Sequence, residues 1–181
     1  MPPLTAELTA AALAALDPRV AVPGYDRAAV TVGIVHIGVG AFHRAHQAVY
    51  VDDVLAAGDT AWGICGVGVL PQDGAIRDVL AAQDGLYTLL TVDGGGATTA
   101  RVVGSHVAHL HAPDDPRAVI DRMADPATRI VSLTITEGGY GINDATGDSE
   151  PTDLLTLVDL AGQSPPRSAF GLIVAALAAR R

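Results

Sequence analysis

The sequence contains no lysine, and this absence removes one common catalytic group from consideration. The 11 basic residues are all arginines, and they stand against 20 acidic residues, for a formal net charge of −9. Nucleic-acid backbones and anionic membrane surfaces both require a positive patch on the protein that binds them. The charge balance therefore argues against either partner.

Cysteine and long apolar runs are also scarce. With Cys65 as the single cysteine, no internal disulfide can form. No apolar run approaches the ~20 residues that a membrane-spanning helix needs. The N-terminus lacks the basic start and the cleavage-type end of a signal peptide. A cytoplasmic protein is the simplest expectation.

Apolar residues are plentiful, at 49% of the 181 residues, and the mean hydropathy is +0.34. Such a chain can bury the core of one domain, or of one domain with a fragment of another. Patterning predicts helices at 4–16, 43–57, within 71–85, at 115–126 and at 167–181. It predicts strands at 31–39, 61–69, 86–92, 100–112 and 128–136, the first two and the last buried on both faces.

This alternation of strands and helices predicts an α/β sheet whose core strands run parallel. The strands at 86–92 and 100–112, separated by DGGGATT, are predicted to form an antiparallel hairpin. Residues 17–27 are interrupted by Pro18, Pro23 and Gly24 and are predicted to form an extended arm.

The stretch VHIGVGAFHRAH, residues 35–46, ends a predicted strand on two glycines and opens a predicted helix. Gly38 permits the sharp turn, and Gly40 removes the side chain that would keep a pyrophosphate away from main-chain amides. Arg44 can add a charge-assisted contact to a phosphate oxygen. The pattern predicts a dinucleotide site, and a purely structural turn is the alternative. The predicted site residues here are Gly38, Val39, Gly40, Ala41, Phe42, His43 and Arg44.

Histidines raise the alternative of a metal site. His43, which replaces the third glycine of G-x-G-x-x-G, shares a helix face with His46, but no cysteine or third histidine accompanies them locally. His106, His109 and His111 lie on a predicted strand, with His106 on the opposite face from the other two. Exposed or hydrogen-bonded histidines, and no metal, are expected.

An acid after the second strand of a dinucleotide fold can accept hydrogen bonds from the ribose hydroxyls. Asp73 follows GVGVLPQ, although it lies farther from the glycines than the usual ~20 residues. The alternative is that Asp73 caps the following helix. An acid at this position favours NAD over NADP, because it would repel a 2′-phosphate.

Thr134, Thr136 and Glu137 lie at the carboxyl end of the third predicted buried strand. Ligands of open parallel sheets lie beyond the carboxyl ends of the strands, so this segment is placed to line the nicotinamide end of a cofactor. An ordinary strand-to-loop exit is the alternative.

Several segments together resemble one known family. They are VPGYDR, GIVHIGVGAFHRAHQAVYVDDVL, WGICGVGVLPQD, AAQDGLYTLL and DPATRIVSLTITEGGY, and they cover the chain from about Val20 to the last helix. The chain is similar to the polyol-specific long-chain dehydrogenases, the family of mannitol 2-dehydrogenase and fructuronate reductase.

The resemblance implies a Rossmann-like, doubly wound domain that binds NAD(H), with a mainly parallel sheet and an inserted antiparallel hairpin. It would span residues 28–181, after an N-terminal helix and arm at 1–27, and the family joins it to a helical C-terminal domain. Gly38, Gly40, Phe42 and Arg44 match the family's phosphate-loop motif. Asp73 matches the acid that recognises the adenosine ribose.

The family interconverts a polyol and a ketose by hydride transfer without a metal, and it uses a lysine as general base. This chain has no lysine, and it lacks the family's asparagine-bearing strand after the final helix. The expectation is therefore a cofactor-binding domain with no catalytic residues of its own, whose polyol or ketose substrate binds only when the C-terminal catalytic domain is supplied. A stand-alone NAD(H)-binding or sensing module and a non-functional remnant are the alternatives. The apolar face of 169–179 also predicts self-association.

Overall fold

The computed structural model describes residues 8–135 and 137–180, apart from the side chain of Glu137. The strands in this part of the chain are β1 (Val20–Ala21), β2 (Val32–Ile37), β3 (Gly63–Gly68), β4 (Tyr87–Val92), β5 (Thr98–Val103), β6 (His106–His111) and β7 (Ile130–Leu133). The α-helices are α1 (Ala41–Ala45), α2 (Gln47–Ala56), α3 (Gly74–Ala82), α4 (Pro116–Ala124), α5 (Leu154–Leu160) and α6 (Ala169–Ala179).

The strands form two sheets. The larger sheet has the order β6-β3-β2-β7, and its neighbouring strands are parallel. The smaller sheet has the order β1-β5-β4, in which β5 is parallel to β1 and antiparallel to β4. The predicted α/β fold, with a mainly parallel sheet and an antiparallel hairpin, is confirmed. Strand order reverses at β2, which is the place where such sheets bind ligands.

The central strands β2 and β3 are covered on both faces, and their alternate side chains pack on opposite sides of the sheet. On one face Val35, Ile37 and Val67 pack with buried residues of α4 and α6. On the other face Ile34 and Ile64 pack with α2 and with Val103 of β5. Cys65 lies in the first of these clusters, and burial raises the pKa of its thiol to about 11. A neutral core thiol, and no nucleophile, follows from this placement.

The stretch predicted as one strand at 100–112 is two strands in different sheets, β5 and β6. The chain passes between the sheets at Gly104, whose amide donates to Asp52 Oδ1 at 2.9 Å, and at Ser105, whose hydroxyl donates to the carbonyl of Ala48 at 2.7 Å. A Cβ on Gly104 would lie 2.8 Å from Pro23 Cγ. Long-range contacts therefore fix a crossing that strand periodicity does not reveal.

The predicted placement of the histidines of β6 on two faces is wrong. The pairing of β3 with β6 shifts register between Ile64 and Cys65. Because of this irregularity, ring atoms of both His106 and His109 approach Gly66, within 3.2 Å of where its Cβ would stand.

The strand predicted to be buried on both faces at 128–136 is shorter and more exposed than expected. Within the described residues β7 pairs only with β2, and Ile130 and Val131 are 43% and 37% exposed. An edge strand retains its apolar sequence but has solvent on one side. In α3, Leu80 is buried, whereas the neighbouring apolar residue Val79 is exposed.

The predicted helix at 43–57 is interrupted at His46 and begins earlier, at Ala41. The ring Nδ1–H of His46 donates to the carbonyl of Phe42 at 2.8 Å and so replaces the main-chain bond expected from its own amide. The predicted helix at 4–16 is a 3-10 helix over Ala10–Ala15, with residues 1–7 outside the described part. Helix α5 lies in a stretch for which the sequence pattern predicts no element, and its first turn is capped by the Asp153 side chain, which accepts from the amide of Thr156.

Helix α6 is apolar on its outer side as well, since Val174 and Leu177 are 64% and 66% exposed. No helix within the described residues is both long and apolar enough to span a bilayer. The expected self-association through α6 stays a prediction.

Candidate functional site

The glycine-rich turn follows β2 directly. Gly38 has a φ of +92°, and a Cβ there would stand 2.6 Å from the carbonyl oxygen of Thr134, so both backbone and packing require glycine. Gly40 differs, because its φ is −77° and a Cβ there would meet no atom of the described residues within 4 Å. Nothing in the surrounding fold explains a glycine at position 40, and its surroundings are open to a ligand.

Arg44 holds this turn in place. Its Nη1 donates to the carbonyl of Val39 at 2.6 Å, while its own carbonyl accepts from the hydroxyl of Tyr87 at 2.7 Å. The side chain is half-buried and lies at the edge of the cavity described below. Arg44 therefore stabilises the turn through its hydrogen bond to Val39 and also places a positive charge close to the turn.

Asp73 lies at the turn after β3. Its Oδ2 accepts from the amides of Val69 and Leu70, both at 2.9 Å. The carboxylate thus shapes the strand exit, and it makes no capping bond to α3, although Asp73 is the residue that precedes this helix. Within the described residues, both hydrogen bonds of the Asp73 carboxylate are accepted by Oδ2, which leaves Oδ1 for a further donor.

Gly68 makes the position of Asp73 possible. A Cβ on Gly68 would lie 2.6 Å from the Cβ of Asp73, so the absence of a side chain lets the acid lie against the end of β3.

These residues border one cavity of about 700 Å³ at the carboxyl ends of β2, β3 and β7, which we call the strand-end cleft. Its lining includes the predicted residues Gly38, Val39, Gly40, Arg44 and Asp73. The volume falls within the range of roughly 300–1,000 Å³ typical of sites for small organic ligands.

Other lining residues were not predicted. They come from α5 and α6 and the positions just before them, and include Asp153, Leu155, Thr156, Ser168 and Phe170. The start of α6 was predicted, and the capping residue Asp153 is the sequence signal that could have found the start of α5, because its side chain accepts from an amide of that helix.

The remaining predicted residues that the structure describes lie outside this lining. Ala41 and Phe42 are exposed, with the Phe42 ring stacked on His46 at 4.4 Å between centroids. His43 is 1% exposed and points into the protein. Thr136 lies outside the described residues, and Glu137 begins a 3-10 helix that ends at Tyr140, its side chain lying outside the described part.

Buried histidines lie beneath the turn. The ring of His43 is stacked on His36 at 3.6 Å between centroids, and its Nε2 is 2.9 Å from His106 Nε2. Burial lowers the pKa of His36 to about 3 and that of His43 to about 4, and it lowers the pKa of His106 well below its ordinary value. These rings are neutral at pH 7. Among the described residues, no group of three or more histidine, cysteine or acidic side chains is arranged to hold a metal ion.

A second cavity, of about 620 Å³, lies elsewhere on the molecule. Its lining includes Arg27, Leu80, Asp84 and His106, together with Ala10 of the N-terminal segment. The glycine turn and Asp73 do not border it, so it is separate from the strand-end cleft.

Comparison with known proteins gives a consistent result. The family model described as "Mannitol dehydrogenase Rossmann domain" matches residues 32–181. The chain is 53% identical over 160 residues to a mannitol 2-dehydrogenase of Cereibacter sphaeroides, covering 88% of this chain and 33% of the relative. It is 48% identical over 179 residues to a mannitol 2-dehydrogenase of Phaeosphaeria nodorum, covering 98% of this chain and 31% of the relative.

Solved structures agree. The Pseudomonas fluorescens mannitol 2-dehydrogenase, in a ternary complex with NAD and D-mannitol, superimposes with a TM-score of 0.92 at 46% identity, over 97% of this chain and 36% of that one. A D-sorbitol dehydrogenase in substrate-free form gives a TM-score of 0.89 at 41% identity, over 96% and 36%. The chain spans about a third of the length of the curated relatives it matches.

Proposed function

This chain belongs to the mannitol dehydrogenase family, as its Rossmann domain, and we propose that it binds NAD(H) in the strand-end cleft. The observation that carries the proposal is the convergence of the glycine turn and Asp73, 33 or more residues apart in sequence, on one cavity of about 700 Å³. The NAD in the related Pseudomonas fluorescens structure supports the choice of ligand.

The pyrophosphate is assigned to the turn at Gly38–Gly40. The empty space around Gly40 fits a ligand that approaches the main chain closely, and a side chain there would occupy that space. Helix α1 has only five residues, so its dipole contributes less than an unbroken helix over 43–57 would. Amide donors of the turn and the nearby Arg44 are the main groups for the phosphate oxygens.

The adenosine end is assigned to the exit of β3. Leu70 and Ile76 offer apolar surface for a base, and Asp73 between them has Oδ1 for the ribose hydroxyls. A carboxylate here favours NAD over NADP, because a 2′-phosphate would place a second negative charge beside it. The nicotinamide end then falls toward Thr134 and Ile135, with Thr136 and Glu137 as further predicted contacts.

The cofactor supplies the hydride chemistry, accepting a hydride from an alcohol carbon or donating one to a carbonyl carbon. This chain's residues bind and orient it. Proton transfer from a polyol hydroxyl needs a base, and no lysine is present to act as one. We assign that base, and the groups that recognise a polyol or ketose, to the part of the relatives' length that this chain does not span.

The proposal is tested by titrating the chain with NADH and following heat and nicotinamide fluorescence. Gly40→Val should nearly abolish binding, because its side chain fills the space assigned to the phosphates. Gly94→Val is the matched control, since Gly94 is also in open surroundings but lies in the β4–β5 turn outside the cleft. Equal affinity of folded Gly40→Val and wild-type chains would place the phosphates elsewhere.

A further inference from the structure

Below the glycine turn, six polar side chains form a continuous hydrogen-bonded series from the strand-end cleft into the core. We call it the histidine network; its members, in order from the cleft, are Thr134, His36, Ser132, Gln47, His43 and His106. They come from β2, α1, α2, β6, β7 and the residue after β7. The role proposed above for the cleft does not use these contacts.

The inner end of the network fixes where one proton lies. His43 Nε2 and His106 Nε2 are 2.9 Å apart, and since both rings are neutral, one nitrogen must donate and the other accept. His106 is 1% exposed, and its Nδ1 has no hydrogen-bond partner among the described residues. In proteins, a buried N–H that lacks an acceptor is rarer than a buried acceptor that lacks a donor. The proton of His106 is therefore assigned to Nε2.

The next contacts follow from this assignment. His43 then accepts at Nε2 and carries its own proton on Nδ1, which donates to Gln47 Oε1 at 3.0 Å. With its oxygen engaged, the Gln47 amide presents Nε2–H to Ser132 Oγ at 3.1 Å. The orientation of Gln47 in the structure is the one that this order requires.

The outer end completes the series. Ser132 Oγ accepts from Gln47 and lies 2.8 Å from His36 Nδ1, which among the described residues is the acceptor for its own hydroxyl proton. His36 is thereby protonated on Nε2, which donates to Thr134 Oγ1 at 2.9 Å. Because Thr134 Oγ1 already accepts from within the protein, its own proton is left to point toward the cleft that this residue lines.

We propose that the histidine network orients the Thr134 hydroxyl as a hydrogen-bond donor to an acceptor oxygen of the dinucleotide. This inference rests on the proposed function, because it takes the ligand of the strand-end cleft to be NAD(H). Thr134 is suited to the role because its carbonyl lies against Gly38 and its side chain is exposed at the same edge. His36, Ser132, Gln47 and His43 are positioning residues, since they act through Thr134.

The order of protons is tested without any cofactor. Long-range ¹H–¹⁵N correlation spectra of the labelled chain at pH 7 distinguish the two neutral tautomers of each histidine. The expected result is a proton on Nδ1 of His43 and on Nε2 of His36 and His106. The reverse order, with His36 protonated on Nδ1 so that Thr134 donates inward, would overturn the proposal.

The effect on the ligand is tested with Thr134→Val, which keeps the shape and loses the hydroxyl, and Thr134→Ser, which keeps the hydroxyl. Thr134→Val should weaken NADH binding about tenfold, as expected for the loss of one charge-assisted or buried hydrogen bond, and Thr134→Ser should restore it. Ser132→Ala, away from the cleft lining, should mix the two tautomers of His36 and weaken binding by a smaller factor. Unchanged affinity in folded Thr134→Val would overturn the assigned role.

ADP-ribose, which lacks the nicotinamide, identifies the oxygen that accepts. If Thr134→Val weakens ADP-ribose and NADH alike, the acceptor is a phosphate or ribose oxygen; if it weakens NADH alone, the acceptor lies at the nicotinamide end. Failure of the unmodified chain to bind NADH would defeat the proposed function and the donor role together. The tautomers measured in the free chain would still decide the order of the network.

Discussion

Asp73 has a structural role in the fold, and the proposed function gives the same carboxylate a recognition role. Oδ2 accepts from the amides of Val69 and Leu70 after β3, while Oδ1 is the atom assigned to the ribose in the proposed function. Asp73→Asn keeps the size of the side chain and removes its charge. It should weaken NADH binding about tenfold, because a hydrogen bond to a charged acceptor becomes one to a neutral acceptor.

The same change should narrow the preference for NADH over NADPH, because the charge that repels a 2′-phosphate is gone. Parallel calorimetric titrations with both cofactors measure this ratio. Asp78→Asn is the control, since Asp78 is an exposed acid on the adjacent helix α3. A variant that keeps the wild-type ratio of affinities would show that Asp73 does not read the ribose.

Single residues also show how far the sequence alone reaches. Gly38 and Asp73 could be placed at strand exits from local pattern, because the turn and the strand preceding each are contiguous in sequence. The inward direction of His43 could not, since it depends on contacts with His36 and His106, which belong to strands that α1 meets only in the folded protein. The lining contributed by Ser168 and Phe170 likewise depends on where α6 returns to the sheet.

Among the larger elements, the N-terminal arm is joined to the domain by the pairing of β1 with β5, by hydrogen bonds of Arg27 and by one buried acid. Asp52 on α2 is 2% exposed and accepts from the hydroxyl of Tyr25 at 2.5 Å, from Arg101 at 2.5 Å and from the amide of Gly104 at 2.9 Å. The arm, α2 and β5 therefore meet at the Asp52 carboxylate. Its three donors together compensate for the cost of burying a carboxylate in the low-dielectric interior.

Tyr25→Phe removes one of these donors without changing the ring. It should lower the free energy of unfolding by about 2 kcal/mol, the usual worth of a hydrogen bond to a charged group. Urea denaturation followed by circular dichroism measures the change. Tyr50→Phe, at a 69% exposed position on α2, should change it by less than about 0.5 kcal/mol. Equal effects of the two substitutions would mean that the arm is not held through Asp52.

Elements were predictable where a local pattern dominates. The continuous apolar runs of β2 and β3 and the helical pattern of α4 need no distant contact, and these predictions were close to the observed bounds. The break between α1 and α2 escaped prediction because a histidine ring, not a glycine or proline, replaces the main-chain bond. The division into β5 and β6 escaped because Gly104 and Ser105 are held by α2, about 50 residues earlier in the chain.

For the whole molecule, the reversal of strand order at β2 brings the separate sequence motifs together. Residues following β2, β3 and β7 meet at one edge of the sheet because all three strands are parallel and adjacent. The same arrangement places His36, His43 and His106 in the interior directly beneath that edge. The proposed ligand binding and the acid stability of the fold therefore depend on a shared set of neutral rings.

Acid should unfold this protein earlier than its carboxylates alone would require. His36, with a pKa lowered to about 3, and His43 and His109, each lowered to about 4, stay neutral in the folded state, whereas unfolded histidines take up protons near 6.5. Between pH 6.5 and 4.5 the unfolded chain thus binds more protons, so stability falls as pH falls, by up to about 1.4 kcal/mol per pH unit for each such histidine. Their contribution is complete above pH 6.5.

Urea midpoints measured at intervals across this window should therefore fall steeply as the pH falls. His36→Phe should make the fall shallower by the amount that one histidine contributes, whatever the substitution does to stability at pH 7. A free energy of unfolding that stays level from pH 6.5 to 4.5 would show that these rings are protonated in the folded protein, and the neutral tautomers on which Thr134 depends would not exist there.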